Sequence, residues 1–145
     1  MKAKLVLEES IKEVYHTLRP KCLMMTDMGC SSGPNSLLVV SEVLNIIDKT
    51  CRSLNHQPPQ FGVFLNDLPG SDFNTLFNFL PSFQQWVEEE KGNNFGPCFV
   101  YGTPGSFYGR IFPNHFLHFV HSCYALHWLS QVNSTIDIPM SYIHQ

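Results

Sequence analysis

The strongest constraint on how this chain can fold is a unit that occurs twice. Each copy is a short apolar run ending on an acid, then a turn rich in glycine or proline, then apolar residues at helical spacing. The first copy runs Cys22-Leu-Met-Met-Thr-Asp27, then Met28-Gly-Cys-Ser-Ser-Gly-Pro-Asn35, then Ser36 to Cys51, where Leu37, Leu38, Val40, Val43, Leu44 and Ile47 form a stripe. The second runs Gln60-Phe-Gly-Val-Phe-Leu-Asn66, closes on Asp67, turns through Leu68-Pro-Gly70 and continues from Phe73 to Lys91. Apolar runs of this length without polar alternation fit strands buried on both faces. Strands alternating with helices at this spacing run parallel, joined by right-handed crossovers. The pattern predicts an α/β fold: a Rossmann-like, doubly wound parallel sheet.

The remaining segments complete that outline. Leu7, Ile11, Val14, Tyr15 and Leu18 predict an amphipathic helix over Leu5 to Leu18, ended by Pro20. Pro81 breaks the Phe73 to Lys91 stretch into two shorter helices. Cys98-Phe-Val-Tyr101 reads as a third strand and Gly102 to Arg110 as another glycine-rich turn. His115 to Leu129, dense in aromatics and histidines, reads as a helix or helical turn. His115, His118 and His121 repeat every third position on that stretch; with no carboxylate or cysteine to complete a metal set, they read as one helix face. After Gln131 no periodicity remains, so residues 133–145 read as an unstructured tail and residues 1–132 as the folded part.

Composition narrows the function classes. The chain has 145 residues, 9 basic against 12 acidic, for a formal net charge of −3, which gives no electrostatic reason to bind nucleic acid or an anionic membrane. Its apolar runs fall far short of the roughly 20 residues a membrane helix needs, and the apolar run at the amino end stops at Glu8, too soon for a signal-peptide core. Five cysteines, an odd number without a C-x-x-C pair, read as reduced thiols in the cytosol. The length supports one domain, although α/β domains that hold cofactors commonly need roughly 200 to 250 residues.

In such sheets ligands sit beyond the carboxyl ends of the strands. Gly29 lets the backbone of the first loop approach a ligand, and Asp67 stands where doubly wound cofactor sites place an acid for ribose hydroxyls. Gly29-Cys-Ser-Ser-Gly33 is not G-x-G-x-x-G, which argues against a bridging pyrophosphate and so against a nicotinamide oxidoreductase. A cofactor with adenosine but no pyrophosphate, S-adenosylmethionine, suits it better.

Four long motifs sharpen this: Asp27-Met-Gly-Cys-Ser-Ser-Gly-Pro-Asn35, Leu65-Asn-Asp-Leu-Pro-Gly-Ser-Asp-Phe-Asn74, Pro104-Gly-Ser-Phe-Tyr-Gly-Arg-Ile-Phe-Pro113 and Ser122-Cys-Tyr-Ala-Leu-His-Trp-Leu-Ser-Gln131. In this order they resemble the plant SABATH methyltransferases, which act on salicylic, benzoic and jasmonic acids and on theobromine-type xanthines. The resemblance implies a sheet of the S-adenosylmethionine-dependent methyltransferase type. It implies that Cys30 and Asn35 contact the methionine portion of the cofactor and that Asp27 and Gly29 shape the same pocket. Asp67 would bind the ribose with Leu68 beside the adenine, and Ser106 and Phe107 would hold the adenine. On the substrate side, His127 and Trp128 would bind the acid's carboxylate while Tyr124 lines the pocket. In xanthine-methylating members the histidine position usually differs, so His127 points to a small, aromatic carboxylic acid.

The chemistry is consistent with those roles. A carboxylate is already ionised at neutral pH, so methyl transfer to it needs alignment with the sulfonium rather than a base. His127 and the Trp128 indole N–H can supply two aimed donors. The resemblance also implies segments before and after this chain: a lid ahead of it, and beyond Val132 further strands and a cap that selects the acid. The chain is therefore read as truncated at both ends, with a silent fragment that binds cofactor weakly or pairs with a full-length family member as the alternative to an active enzyme. A homodimer is expected only by analogy with the family.

Overall fold

The computed structural model describes residues 2–92, 94–106, 109–122 and 143–144, with side chains from residue 5 to residue 122 of these. Its elements in order are α1 (Lys2–Leu18), β1 (Cys22–Met28), α2 (Asn35–Leu54), β2 (Gln60–Asp67), α3 (Phe73–Phe77), α4 (Leu80–Lys91), β3 (Cys98–Pro104), β4 (Phe119–His121) and β5 (Ile143–His144). All strand pairs are parallel and the sheet order is β3-β2-β1-β4-β5. The chain builds outward from β1 through β2 to β3, then returns to add β4 on the other side of β1. That reversal puts the topological switch point between β1 and β4.

The core follows the predicted stripes. Ile11 and Val14 of α1, Val40, Val43, Leu44 and Ile47 of α2, and Leu23, Met25, Phe61, Val63 and Leu65 of β1 and β2 are fully buried. Each such side chain contributes on the order of 1.5–3 kcal/mol through burial. Two polar ties fasten the helices. The Tyr15 hydroxyl meets His56 Nδ1 at 3.2 Å beyond the end of α2, and Lys91, at the end of α4, reaches Asp48 Oδ2 of α2 at 3.3 Å and also Asn45. The expected break in the helical stretch after Phe73 is present. Asp72 caps α3 by accepting from the Thr75 backbone N–H at 3.0 Å, and Pro81 lies in the first turn of α4, where a missing N–H costs nothing.

One expectation is overturned. The stretch predicted as a helix from His115 onward is a looped connection followed by strand β4; residues 123–130 lie outside the described residues. His115 has a φ of +56°, which a right-handed helix cannot contain. The helical spacing has another cause. Phe112 and Phe116 stack on each other with centroids 5.9 Å apart and both meet the Phe64 ring of β2 edge-on, at 5.6 and 5.2 Å, as the chain crosses back from β3 toward β1. Phe119 and Val120 then enter the sheet. A short apolar run reads alike as a buried strand or a helix segment, and here the open side of β1 decides it. Within the stretch without periodicity, Ile143–His144 forms a two-residue strand beside β4; residues 133–142 lie outside the described residues.

His118 extends the β1–β4 pairing by one residue. Its backbone N–H donates to the Met24 carbonyl at 2.8 Å, and its Nδ1 accepts from the Met24 N–H at 2.9 Å. Nδ1 must be unprotonated to accept, and burial holds the imidazole below its usual pKa, in the same direction. In the unfolded chain the group titrates near pH 6.5, so the unfolded state takes up the proton first as pH falls. Stability from this contact is therefore complete above about pH 6.5 and lost below it. Melting curves between pH 7.5 and 5 should show a falling Tm that is shallower in His118→Asn, where the side-chain oxygen accepts without titrating. Equal slopes in the two proteins would refute the assignment.

Candidate functional site at the carboxyl ends of the strands

Asn66, the penultimate residue of β2, gathers the loops that follow β1 and β3. Its backbone carbonyl accepts from the N–H groups of both Gly29 and Cys30 at 2.9 Å. Its side-chain Nδ2 donates to the carbonyls of Thr103 and Gly105 at 2.9 and 3.1 Å. The residue is fully buried, and its Oδ1 has no partner among the described residues. The loops after β1 and β3 are therefore both anchored to the end of β2.

Asp67 continues the convergence. Oδ2 accepts from the Ser31 N–H at 2.9 Å and from the Ser71 hydroxyl at 3.1 Å, Oδ1 accepts from the Leu68 N–H at 2.8 Å, and the backbone carbonyl accepts from Gly105 N–H at 2.9 Å. Of roughly four lone-pair directions on a carboxylate, these leave one on Oδ1. Gly29 has a φ of +72°, and a Cβ there would meet no atom within 4 Å, so what requires glycine is the backbone turn and the space above it is open. Ser31 is also left-handed, with a φ of +64°.

Asp27, at the end of β1, is 5% exposed and holds two buried partners. Its Oδ1 meets Nδ1 of His121 at 2.8 Å, and its Oδ2 accepts from the Ser36 hydroxyl in the first turn of α2. The same Ser36 hydroxyl lies 3.0 Å from the Cys30 carbonyl, which shares the hydroxyl's one proton with Asp27. Cys30 is 4% exposed; burial, then the charges of Asp27 and Asp67, push its thiol up to about 12.

The structure thus brings together Asp27, Gly29, Cys30, Asp67 and the Gly105–Ser106 turn. Asn35 is exposed at the start of α2, Leu68 is 56% exposed beside Asp67, and Ser106 is exposed just past β3. Phe107, Tyr124, His127 and Trp128 lie outside the described residues. Sequence reasoning missed Ser36, Asn66 and His121. For His121 the signal was present, because Phe119-Val-His121 repeats the apolar run ending on a titratable residue that marked Asp27 and Asp67. Its reading as part of a helix face is corrected: it ends a strand and points at Asp27. Two grooves of about 610 and 630 Å³ lie elsewhere, along α4 and β3 and between the ends of α2 and α4, the second lined by Asp48, Arg52, His56 and Lys91.

The thiols give a direct check. At pH 8 a thiol with a pKa near 12 is ionised to roughly one part in ten thousand, so Cys30 and Cys98, the latter pushed up to about 12 by burial, should react with iodoacetamide about three orders of magnitude more slowly than a free thiol. Half-buried Cys22 should be alkylated ahead of both. Peptide mapping after a short exposure reads this, and early labelling at Cys30 would contradict its placement.

Comparison with known proteins agrees with this geometry. A family model described as SAM-dependent carboxyl methyltransferase matches residues 1–142. A benzoic acid/salicylic acid carboxyl methyltransferase of Petunia hybrida is 46% identical over 132 residues, covering 91% of this chain and 37% of that protein. A probable caffeine synthase of Coffea canephora is 46% identical over 138 residues, and a 7-methylxanthine methyltransferase of the same plant is 44% identical over 144, covering 92% and 96% of this chain and 36% and 38% of theirs. Among solved structures, a loganic acid methyltransferase with SAH superposes with a TM-score of 0.67 at 36% identity, over 88% of this chain and 34% of that one. The chain thus spans a little over a third of the length of these relatives.

Proposed function

The chain belongs to the SAM-dependent carboxyl methyltransferase family, and from that premise we propose that it holds S-adenosylmethionine at the carboxyl ends of β1, β2 and β3 for methyl transfer to the carboxylate of a small aromatic acid. The observation that carries this reading is the meeting of three loops at Asn66 and Asp67. Asp67 would hold the ribose, with exposed Leu68 beside the adenine, and Ser106 and Phe107 would hold the adenine. Asn35 and Gly29 border the methionine portion, over a floor made by Cys30 and Asp27. The cofactor is cationic at its sulfur and amino group, which suits a cleft carrying two carboxylates. Bound there, it supplies an activated methyl group.

The protein's own residues supply alignment. His127 and Trp128 would hold the acid's carboxylate and Tyr124 would line the pocket, and an already ionised carboxylate requires no base. Among the described residues no helix is long and apolar enough to cross a membrane. We place the protein in the cytosol, on its reduced thiols, and as a homodimer by family analogy. Two further readings have support. Relatives that methylate xanthines are as similar as those that methylate acids, which favours N-methylation as the runner-up; His127 speaks for the acid. For these 145 residues alone, which span just over a third of their relatives, the second reading is cofactor binding without turnover.

Calorimetric titration with S-adenosylhomocysteine should give measurable heat, and Asp67→Asn should weaken binding roughly tenfold, as expected for about 1.4 kcal/mol. No heat at high micromolar ligand refutes the cofactor site. Radiolabelled methyl transfer over salicylate, benzoate, jasmonate and xanthine then separates the readings. Labelled methyl ester supports the acid, labelled xanthine the runner-up, and binding with no labelled product the silent fragment.

A further inference from the structure

We propose that His121 is a positioning residue of the cofactor site, acting through Asp27. The inference rests on the proposed cofactor site and deepens it. Asp27 and His121 are direct partners in the parallel register of β1 and β4, so their side chains leave the sheet on the same face, at the switch point. Their contact is 2.8 Å and both are at least 95% buried. A carboxylate only accepts, so the proton in this bond sits on Nδ1 of His121. Ser36 donates to the other oxygen. The carboxylate is thus fixed by three elements, β1, β4 and α2, with one lone-pair direction on each oxygen taken.

A buried carboxylate with two fixed donors keeps a single orientation, and its charge stays beneath Gly29 and Cys30, where the cationic methionine portion is proposed to lie. The donor on one side comes from β4, so the placement of that strand sets the orientation of the Asp27 carboxylate. A purely structural pair would stabilise the sheet and leave the affinity of the folded protein unchanged.

The test compares three variants of the full 145-residue chain by calorimetry with S-adenosylhomocysteine. His121→Leu removes the donor, and His121→Asn keeps an N–H near the position of Nδ1. Val43→Ala, a fully buried position of α2 outside the site, controls for lost stability. The expected result is a loss of about tenfold or more in His121→Leu, recovery to within about threefold of wild type in His121→Asn, and unchanged affinity in Val43→Ala. Should His121→Leu not fold, nitrogen-labelled histidine NMR of the wild type decides. The proposal requires a protonated Nδ1 at His121 and imidazole signals that shift when the ligand saturates. Wild-type affinity in His121→Leu, no recovery in His121→Asn, or imidazole signals indifferent to ligand would each overturn the positioning role while leaving the cofactor site standing. Absence of binding in the wild type would refute the site itself and the inference with it.

Discussion

Parallel strands that end together leave their last carbonyls and the following N–H groups without ladder partners, and burial makes each of these costly to leave unpaired. At the carboxyl end of this sheet one residue answers most of that demand. Asn66 sits where the β2 ladder stops, its carbonyl taking the two N–H groups that open the loop after β1 and its amide taking two carbonyls at the end of β3. An apolar residue there would leave the Thr103 and Gly105 carbonyls unsatisfied by it, and an aspartate would set a charge against them. The positions of Gly29, Asp67 and Ser106 relative to one another follow from this single buried amide.

The electrostatics of the cleft build on that frame. Asp27 and Asp67 end adjacent strands and lie close enough that both raise the Cys30 thiol. Neither is left as a bare charge. Asp67 is held by backbone and hydroxyl donors from its own turn and from the glycine loop, and Asp27 by Ser36 and His121. Those donors include no lysine or arginine, and they meet hydrogen-bond needs of both carboxylates. A cleft of that kind favours a cationic ligand and suppresses thiolate chemistry at Cys30.

Much of this was legible in the sequence because buried parallel strands and amphipathic helices leave distinct periodicities. The boundaries of β1, α2 and β2 fell within a few residues of the pattern, and acids at strand ends marked Asp27 and Asp67. The failure at β4 has a physical origin. Phe112 and Phe116 stack on each other and meet Phe64 edge-on while Phe119 enters the sheet, so the aromatic density that reads as a helix from His115 onward reflects a tertiary arrangement that local sequence cannot distinguish from a helical stripe. Asn66 and Ser36 escaped notice for a related reason. A polar residue beside a strand end or in a first helical turn looks like ordinary capping until the loops it holds are seen.

The division of labour along the chain also bears on substrate choice. Delivery of a sulfonium methyl group makes the same demands whether the acceptor is an acid or a xanthine, so the cofactor site proposed at Asn66, Asp67 and Asp27 suits both, and overall identity to the two groups of relatives is nearly equal. The acceptors differ in one respect that protein chemistry can register. A carboxylate arrives ionised and wants donors, whereas a ring N–H must lose a proton and wants an acceptor near it. The family resemblance implies that residues 127 and 128 face the acceptor; on that proposal, Trp128 can only donate and a histidine beside it can donate as well, which favours the acid.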